Sequence, residues 1–543
     1  MKKKSLLEGT LVAYIIIITT KVLGAVYVIP FYKIIGTSGG VLYSYAYNVY
    51  NLFLNLSTSG IPTAVSIIVA EYSAMKLYND KEKTIKIAYR FIGIVSTIAF
   101  LLMFVFAADI GKFFVGDIEG GTSIESIKLV VRTLSFCLLV IPYLSVTRGY
   151  LQGNRYVANS SLSQLIEQVV RVAVALVGAY VALNILNTPV PVGVAVALTG
   201  TVLGGAAALL YLQVKIHRNR EEISEGFTSI DDATDSSKTI VKKIVTYAIP
   251  VIVVALAQNI YEMTALKLLV KGLYIVGFGA EKSELLGSVV ITWAPKITVL
   301  LTALALSLCS SIVPFVVNSY VDKDFQGLNR NFNTAINTIL LVEIPLAAVI
   351  IAFNKDVYYI FYGESPYGGL VTAVMAIVCI FFSLQLVINM MLQGMKRYKI
   401  VYVNEFTGII VNICLDIPII ILLDKIGLPP YIGSMFATII GVSTSLTIVM
   451  VSLKREFHFD YGPIVRALVA SIAGTIVISL FMAGYQYLIP DADRWITKVI
   501  RFGVAGILAS ILYFALAYKS GALGRFMGQE KLDSIMRKLH LKG

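Results

Sequence analysis

The sequence has few charged residues and very little histidine, cysteine or tryptophan. Of its 543 residues only 14% are charged, and it contains three His, four Cys and two Trp. It shows no spacing typical of a zinc site, a nucleophile elbow or a phosphate-binding glycine loop. The four cysteines fall inside apolar segments, so we expect free, buried thiols and no disulfide framework. These shortages argue for a protein that is not an enzyme and that carries no cofactor.

Long apolar runs are what the sequence has in abundance. Hydrophobic residues make up 57% of the chain, and the mean hydropathy is +0.81. A helix of roughly 18 or more apolar residues can cross a bilayer core of about 30 Å, and we read about fourteen such runs. They lack the alternation of a membrane-spanning strand. We therefore predict an all-α polytopic membrane protein with about 14 transmembrane helices.

The basic excess follows the predicted topology. The net charge is +13, and Lys and Arg concentrate in alternate connections between the apolar runs, whereas residues 109–128 are acidic on balance. By the positive-inside rule, this pattern places both termini in the cytoplasm. We accordingly expect a multi-pass membrane protein, surrounded by membrane lipid and without a nucleic-acid partner.

The longest polar stretch, residues 217–243, divides the chain. We predict an N-lobe of six spans in residues 1–216, a cytoplasmic linker in 217–243 and a C-lobe of six spans in 244–456. Two further spans follow in residues 457–520. Residues 521–543 form either a basic amphipathic helix on the inner leaflet or a solubilising end.

A short internal repeat supports two equivalent lobes. The triplet Leu-Gln-Gly at residues 151–153, after the predicted fourth span, returns at residues 392–394 after the tenth, and both copies are followed by basic residues and Tyr. A weaker match relates Ser-x-x-Pro at residues 59–62 to the same pattern at 311–314. Because six spans are an even number, both lobes keep one orientation, and such repeats commonly enclose a substrate site.

The order of several motifs resembles the multidrug/oligosaccharidyl-lipid/polysaccharide exporter superfamily. Within it, the chain looks like the branch of stage V sporulation protein B and the MurJ-type lipid II flippases. The segments that carry the resemblance are residues 21–24 (KVLG), 51–55 (NLFLN), 60–66 (GIPTAVS), 148–153 (RGYLQG), 167–171 (EQVVR) and 392–394 (LQG).

The resemblance implies a carrier that flips an undecaprenyl-pyrophosphate-linked cell-wall precursor, most closely lipid II, from the inner to the outer leaflet by alternating access. Its partners would be the lipid-linked glycan and membrane lipid, with the cell-wall synthesis machinery as a further candidate. Two alternatives stay open at this point. One is a cation-coupled multidrug exporter, and the other is a flippase for another lipid-linked polysaccharide, such as a spore-cortex, teichoic or capsular intermediate.

Two lysines in the spans are the main candidates for substrate binding. A cation near the middle of a span, such as Lys21, costs about 2.5–3.5 kcal/mol if it faces lipid, so we expect it to face a protein interior or a watery cavity. The resemblance implies that Lys21 and Lys296 contact a pyrophosphate in one cavity, although Ile67 stands where relatives often have lysine. Asn51 and Asn55 are further candidate substrate ligands.

Glu167 and Arg171 lie four residues apart in the predicted fifth span. Glutamate on the N-terminal side is the favourable order for a helical ion pair. This spacing favours a structural ion pair, and a cavity-lining, substrate-binding role for Arg171 is the alternative.

Another pair with the same spacing, Asn412 and Asp416, lies in the predicted eleventh span. Some flippases of this kind bind sodium with such a pair and a threonine, so the resemblance implies that Asn412, Asp416 and Thr438 hold Na⁺ as a coupling ion. Glu262 is a further candidate ligand. The alternative is a buried, hydrogen-bonded polar cluster. Glu405 is expected to be solvated, and Glu343 has no assigned role.

Overall fold

The computed structural model describes residues 16, 19–116, 118, 120–224, 226–490, 494–519 and 521, with the side chains of residues 300 and 303–311 left aside. These residues form helices joined by turns, and no strand occurs among them. Two compact units are present: residues 1–274 with 278–288, and residues 275–277 with 289–543. The predicted tail lies outside the described residues, except for Gly521.

The first unit contains eleven of the described helices, the tenth of which ends at its boundary. They are α1 (Val28–Thr58), α2 (Ile61–Ala74), α3 (Tyr78–Val105), α4 (Ala107–Val115), α5 (Ile124–Ser135), α6 (Ile141–Gly153), α7 (Val157–Tyr180), α8 (Val190–Arg218), α9 (Arg220–Ile223), α10 (Ser237–Ile275) and α11 (Ala280–Ser288).

The second unit contains eight of the described helices and begins with a π-helical turn, Val289–Trp293. They are α12 (Ala294–Val321), α13 (Phe325–Ala352), α14 (Asn354–Tyr362), α15 (Gly368–Gly394), α16 (Tyr398–Lys425), α17 (Gly433–Phe457), α18 (Gly462–Leu488) and α19 (Trp495–Lys519).

Twelve helical stretches among the described residues are long and apolar enough to cross a membrane. The first, Thr19–Ala74, has 56 residues, far more than the roughly 20 that one crossing requires. It is interrupted at Gly36 and again before α2, at Ser59 and Gly60. The all-α membrane fold is therefore confirmed, whereas the count of fourteen spans stays a prediction.

A glycine allows α10 to pack against the break between α1 and α2. Gly60 has a φ of 76°, and a Cβ placed on it would lie 2.7 Å from the carbonyl oxygen of Ala248. Any larger residue would therefore be strained and would also push α10 away. This contact helps to explain why α10, which the sequence assigns to the C-lobe, is compact with the first unit.

The connection between α8 and α10 is docked onto the N-terminal end of α3. The buried carboxylate of Asp80 accepts hydrogen bonds from the backbone N–H of Thr234 (3.1 Å), its hydroxyl (2.9 Å) and the N–H of Asp235 (2.7 Å). Lys81 donates to the carbonyl oxygen of Ile223 at 2.5 Å. The connection is therefore anchored to α3 at Ile223, Thr234 and Asp235.

Asp235 itself adds a second anchor at the start of α10. Its carboxylate accepts hydrogen bonds from the hydroxyl of Tyr72 and from the ammonium of Lys243, the latter at 2.9 Å. These two bonds lower the pKa of Asp235, so the group is ionised at neutral pH. The position of α10 thus depends on charged contacts as well as on Gly60.

Helix α19 is joined to the second unit by a buried ion cluster. Asp356, on α14, accepts hydrogen bonds from Lys498 Nζ and Arg501 Nη1, both at 3.0 Å, and all three side chains are buried. Helix α18 adds a hydrogen bond from Gln486 Nε2 to the carbonyl oxygen of Ala352 (2.6 Å). The last two spans are therefore an integral part of this unit.

The Leu-Gln-Gly repeat corresponds to repeated local structure. Helices α6 and α15 both end at the repeat glycine, at Gly153 and Gly394. Arg155 and Lys396 then adopt the same left-handed backbone conformation, with φ of 68° and 58°. The weaker Ser-x-x-Pro match has no such counterpart, because Pro62 begins a helix whereas Pro314 lies inside one.

Two residue-level expectations are wrong. Cys137 and Cys379 are buried free thiols as expected, but Cys414 is exposed on the surface of α16. Glu405 is buried, and its carboxylate accepts a hydrogen bond from Asn389. In each case the sequence showed that the residue lies on a helix, but it did not show whether another helix packs against that side of it.

We predict that Asp80→Ala releases the docked connection. The variant loses the three hydrogen bonds to residues 234 and 235, and each bond to a charged group contributes about 1.5–3 kcal/mol. Limited proteolysis with trypsin should therefore cut the 217–243 segment at least several times faster than in the wild type. Asp109→Ala is the matched control because Asp109 is exposed and contacts only Lys112, at 3.7 Å, among the ion pairs described. Equal cleavage rates in the two variants would contradict the docking.

Candidate functional site

A cluster of two arginines and one glutamate lies in the first unit. Glu167 on α7 forms an ion pair with Arg171, one helical turn further on, as the spacing predicts. Its other oxygen accepts a hydrogen bond from Arg148 on α6, at 2.8 Å. Arg148 Nε also donates to Ser163 Oγ at 2.8 Å. The side chains of Arg148 and Glu167 are only 14% and 13% exposed, so the pairing is shielded from solvent.

The cluster carries one positive charge in excess, because one carboxylate balances two guanidinium groups. Both oxygens of Glu167 are engaged by the arginines. Arg171 Nε is buried, and it has no hydrogen-bond partner among the described residues. A buried donor without a partner is costly, so this side of Arg171 is available to a further acceptor.

Arg171 lines a cavity of about 120 Å³ inside the first unit. Five of its lining residues are aromatic and six are aliphatic, and Tyr43 and Tyr47 stack with ring centroids 5.4 Å apart. Glu167 and Arg171 are the charged lining residues. The remaining lining residues are Tyr27, Phe31, Tyr43, Tyr47, Tyr50, Asn51, Leu54, Leu134, Ile141, Ala175, Ala197, Leu198 and Thr201.

The tyrosines of this cavity were missed by the sequence analysis. Tyr43, Tyr47 and Tyr50 are spaced four and three residues apart on α1, so they share one face of the helix. That spacing was a usable signal. The participation of Arg148 was not predictable in the same way, because it depends on how α6 packs against α7.

The predicted substrate residues are distributed over both units. Asn51 lines the cavity together with Arg171, whereas Asn55 is half-buried and accepts a hydrogen bond from Ser59 at 2.9 Å. Lys21 is exposed, in the helical turn before α1, and does not line the cavity. Lys296 is half-buried near the start of α12, in the second unit. Their roles in binding substrate stay predictions.

The second unit brings three of the four predicted sodium ligands together. Asn412 Nδ2 donates to Thr438 Oγ1 at 3.1 Å, and Ser434 Oγ donates to Asp416 Oδ2 at 3.2 Å. All four side chains are buried. Within the described part of the chain, Asn412 Oδ1 and Asp416 Oδ1 have no hydrogen-bond partner.

Those two oxygens satisfy the first requirement of a cation site, since hard cations bind carboxylate, amide and hydroxyl oxygens. The same arrangement also fits the alternative, a buried hydrogen-bonded polar cluster in which Asn412 Oδ1 and Asp416 Oδ1 are unsatisfied acceptors among the described residues. Glu262 belongs to the first unit, where its carboxylate accepts a hydrogen bond from Gln258 at 3.4 Å. Its inclusion in a sodium site stays a prediction.

A second buried network lies at the N-terminal end of α16. Asn404 Nδ2 donates to Asn389 Oδ1 at 2.7 Å, and the amide of Asn389 donates to Glu405. In the repeat register of residues 153 and 394, Asn389 and Asn404 correspond to Arg148 and Ser163. Each unit therefore joins two equivalent helices, α6 to α7 and α15 to α16, by a polar contact at the same position of the repeat. The side chains that make the contact differ.

Comparison with known proteins places the chain in a family. A family model described as polysaccharide biosynthesis protein matches residues 6–278, half of the chain. The chain belongs to that family. A second model, MatE, matches residues 250–417. The exporter superfamily expected from the motifs is thereby confirmed, and the protein is a multi-pass membrane protein of this superfamily.

The relatives of this exporter include flippases and transporters. It is 26% identical over 543 residues to the lipid II flippase MurJ of Bacillus subtilis (strain 168), a match that covers 98% of both chains. Its fold is similar to that of a lipid II flippase MurJ in an inward closed conformation, with a TM-score of 0.61, 15% identity, and coverage of 94% of this chain and 99% of the other. An inward-facing multidrug resistance MATE transporter gives a TM-score of 0.61 at 16% identity, covering 82% and 99%.

We predict that Glu167→Gln strongly destabilises this exporter. The variant leaves two shielded guanidinium groups without their carboxylate, and breaking such a pair costs about 3–5 kcal/mol. The thermal unfolding midpoint of the purified protein should fall by several degrees. Glu125→Gln is the control, because Glu125 is exposed and pairs only with Lys128 among the ion pairs described, so its effect should stay within about 0.5 kcal/mol. Equal midpoints for both variants would contradict the role given to the cluster.

Proposed function

We propose that this protein is a flippase that moves a polyprenyl-pyrophosphate-linked cell-wall precursor, most closely lipid II, from the inner to the outer leaflet. The observation that carries the proposal is the end-to-end match to a lipid II flippase, which covers 98% of both chains. The excess positive charge at Arg171 in the first unit supports it. An exporter of cationic drugs would need an acidic site, whereas this charge favours an anionic substrate.

Lys21 and Lys296 are proposed to bind the pyrophosphate during translocation. A lysine ammonium is a compact point charge with three donors, and it lacks the planar fork with which arginine binds phosphate. Two lysines can therefore follow a moving headgroup without fixing one geometry. Both termini are proposed to lie in the cytoplasm of a bacterial cell, which makes residues 217–243 a cytoplasmic segment.

The proposal is that of a carrier without catalytic activity. Flipping breaks no covalent bond, so the binding groups need only charge and hydrogen bonds, and the relatives named above are flippases and transporters. Spore-cortex, teichoic and capsular intermediates share the pyrophosphate and the polyprenyl tail. Lipid II is preferred among them because the relative that matches end to end is a lipid II flippase. A functional interaction with the cell-wall synthesis machinery is part of the proposal.

We predict that the purified protein flips fluorescent lipid II in proteoliposomes. Lys21→Ala and Lys296→Ala should each lower the initial rate about tenfold, because each removes a charge-assisted contact worth about 1.5 kcal/mol or more. The rate is measured by adding a membrane-impermeant quencher to the outside. Lys128→Ala is the control, since Lys128 contacts the exposed Glu125.

Three outcomes decide this test. If Lys21→Ala and Lys296→Ala both flip lipid II at the wild-type rate, the two lysines do not bind the pyrophosphate. Absence of flipping for lipid II, together with flipping of another polyprenyl-pyrophosphate glycan, would change the substrate. Export of a cationic dye without flipping of any lipid would favour the multidrug alternative.

Sodium is proposed as a coupling ion bound by Asn412, Asp416 and Thr438. The two partnerless oxygens of Asn412 and Asp416 fit such an ion, and Ser434 is a fourth oxygen in the same cluster. Bound sodium would supply the charge that a buried Asp416 carboxylate needs. These residues would hold the ion between α16 and α17.

We predict that lipid II flipping by the wild type accelerates several-fold when choline is replaced by sodium at constant ionic strength. Asp416→Asn should remove this acceleration because it removes the charged ligand, while Asp424→Asn, at the exposed end of the same helix, should keep it. The measurement is the initial flipping rate against sodium concentration. Sodium-independent flipping by the wild type would rule out the coupling.

A further inference from the structure

Lys296 follows an unusual turn of helix in the second unit. Residues Val289–Trp293 form a π-helical turn, and α12 begins directly after it, at Ala294. A π-helical turn accommodates one residue more than an α-helical turn, and each residue of an α-helix advances about 100° around the axis. The turn therefore rotates the residues that follow it by about 100°, so the direction in which Lys296 leaves the helix depends on this turn.

A contact from another helix holds the last residue of the turn. π-Helical turns are rare, which indicates that surrounding contacts stabilise this one. Trp293 is only 3% exposed, and Tyr362 Oη donates a hydrogen bond to its carbonyl oxygen at 3.0 Å. The two aromatic rings also stack, with centroids 5.2 Å apart and planes 20° from parallel. Tyr362 thus fixes both the backbone and the side chain of Trp293, three residues before Lys296.

Helix α14, which supplies this tyrosine, is fixed independently of the turn. Trp495, at the start of α19, donates from Nε1 to the carbonyl oxygen of Ile360 at 2.9 Å. A Cβ on Gly368 would lie 2.3 Å from Cδ1 of Tyr358, so the start of α15 packs directly on the same helix. Together with the ion cluster at Asp356, these contacts attach α14 to both α15 and α19.

Beyond Lys296, α12 is held by a different neighbour, α15. Cys379 Sγ donates to the carbonyl oxygen of Thr298 at 3.5 Å and lies 3.1 Å from Thr302 Oγ1. Lys296 therefore lies between two anchored points of the chain, Trp293 and Thr298.

We propose that Tyr362 is a positioning residue for Lys296. By holding the carbonyl group and the ring of Trp293, it keeps the π-helical turn in one conformation and so sets the direction from which the lysine ammonium approaches an anionic headgroup. Binding groups must be held to within about 0.5 Å of their productive position, and a rigid support such as α14 provides this.

The proposal rests on the proposed function in one respect, namely that Lys296 is a headgroup ligand. It also assigns a role to the last span, because α19 holds α14 through the ion cluster and through Trp495.

The test is a double-mutant cycle with Tyr362→Phe and Lys296→Ala. Tyr362→Phe removes the hydroxyl and keeps a ring that can stack. In the wild-type background it should lower the initial rate of lipid II flipping about three- to tenfold, the effect of one hydrogen bond. In the Lys296→Ala background it should change the rate by less than about twofold, because no ammonium remains to be positioned.

Tyr461→Phe is the matched control. The hydroxyl of Tyr461 also donates to a backbone carbonyl, that of Met450, at 2.7 Å in the same unit. This variant therefore loses an equivalent hydrogen bond without touching the turn. Its flipping rate should stay within about twofold of the wild type, since the loss of one hydrogen bond costs only a small part of the stability.

A second measurement needs no transport. Lys296→Cys is introduced into a chain whose four native cysteines are replaced by serine, and its rate of reaction with a small cationic thiosulfonate is measured on the purified protein. Adding Tyr362→Phe should raise this rate about threefold or more, because residue 296 is half-buried and a released turn exposes it more often. Adding Tyr461→Phe should leave the rate unchanged.

The two measurements separate the positioning role from the flippase function. Equal losses of flipping in the wild-type and Lys296→Ala backgrounds would show that Tyr362 acts on stability alone and would overturn the proposal. An unchanged labelling rate at residue 296 would overturn it as well. A wild-type protein that flips no lipid counts against the flippase function, and the labelling rates then decide alone whether Tyr362 positions residue 296.

Discussion

The need to neutralise charge inside a membrane protein is the constraint on which the rest of this structure depends. In lipid the backbone must satisfy its own hydrogen bonds, as the described helical spans do, and a charged side chain must find a partner within the protein or face water. Arg148, Glu167 and Arg171 meet this requirement by joining α6 to α7. The same pairing leaves one guanidinium in excess, and that excess gives the adjacent cavity its polarity.

The two units show how one backbone arrangement can carry opposite charges. A Cβ on Gly204 would lie 2.5 Å from the carbonyl oxygen of Glu167, and a Cβ on Gly441 would lie 2.6 Å from that of Gly408, the corresponding residue, so the helix frame is the same. The side chains on the first helix of that frame differ: Arg171 and Ala175 in one unit, and Asn412 and Asp416 in the other. The repeat thus gives the two units one helix frame whose side chains differ in charge.

Buried acids also join segments that the sequence suggests are peripheral. Asp80 holds the connection before α10 against α3, and Asp356 holds α19 against α14. Each acid accepts two or more hydrogen bonds. Breaking these bonds would leave its buried carboxylate without compensating donors, which is costly. The connection and the last span therefore move with the unit to which they are attached, which ties them mechanically to any transport cycle of an exporter of this superfamily.

The sequence by itself determined the helical membrane fold, the superfamily, the Leu-Gln-Gly repeat, the Glu167–Arg171 ion pair, and the position of Asn412 and Asp416 on one helix. All of these can be read along the chain, because the length of an apolar run indicates a span and residues four apart share a helix face whatever surrounds them. Only the tertiary structure decided that Arg148 completes the first pair, that Thr438 meets Asn412, that Glu405 is buried and that α10 is compact with the first unit. These contacts depend on which helices become neighbours. Helix packing decides this through close approaches such as those at Gly60 and Gly200, and residue spacing along one helix does not encode those approaches.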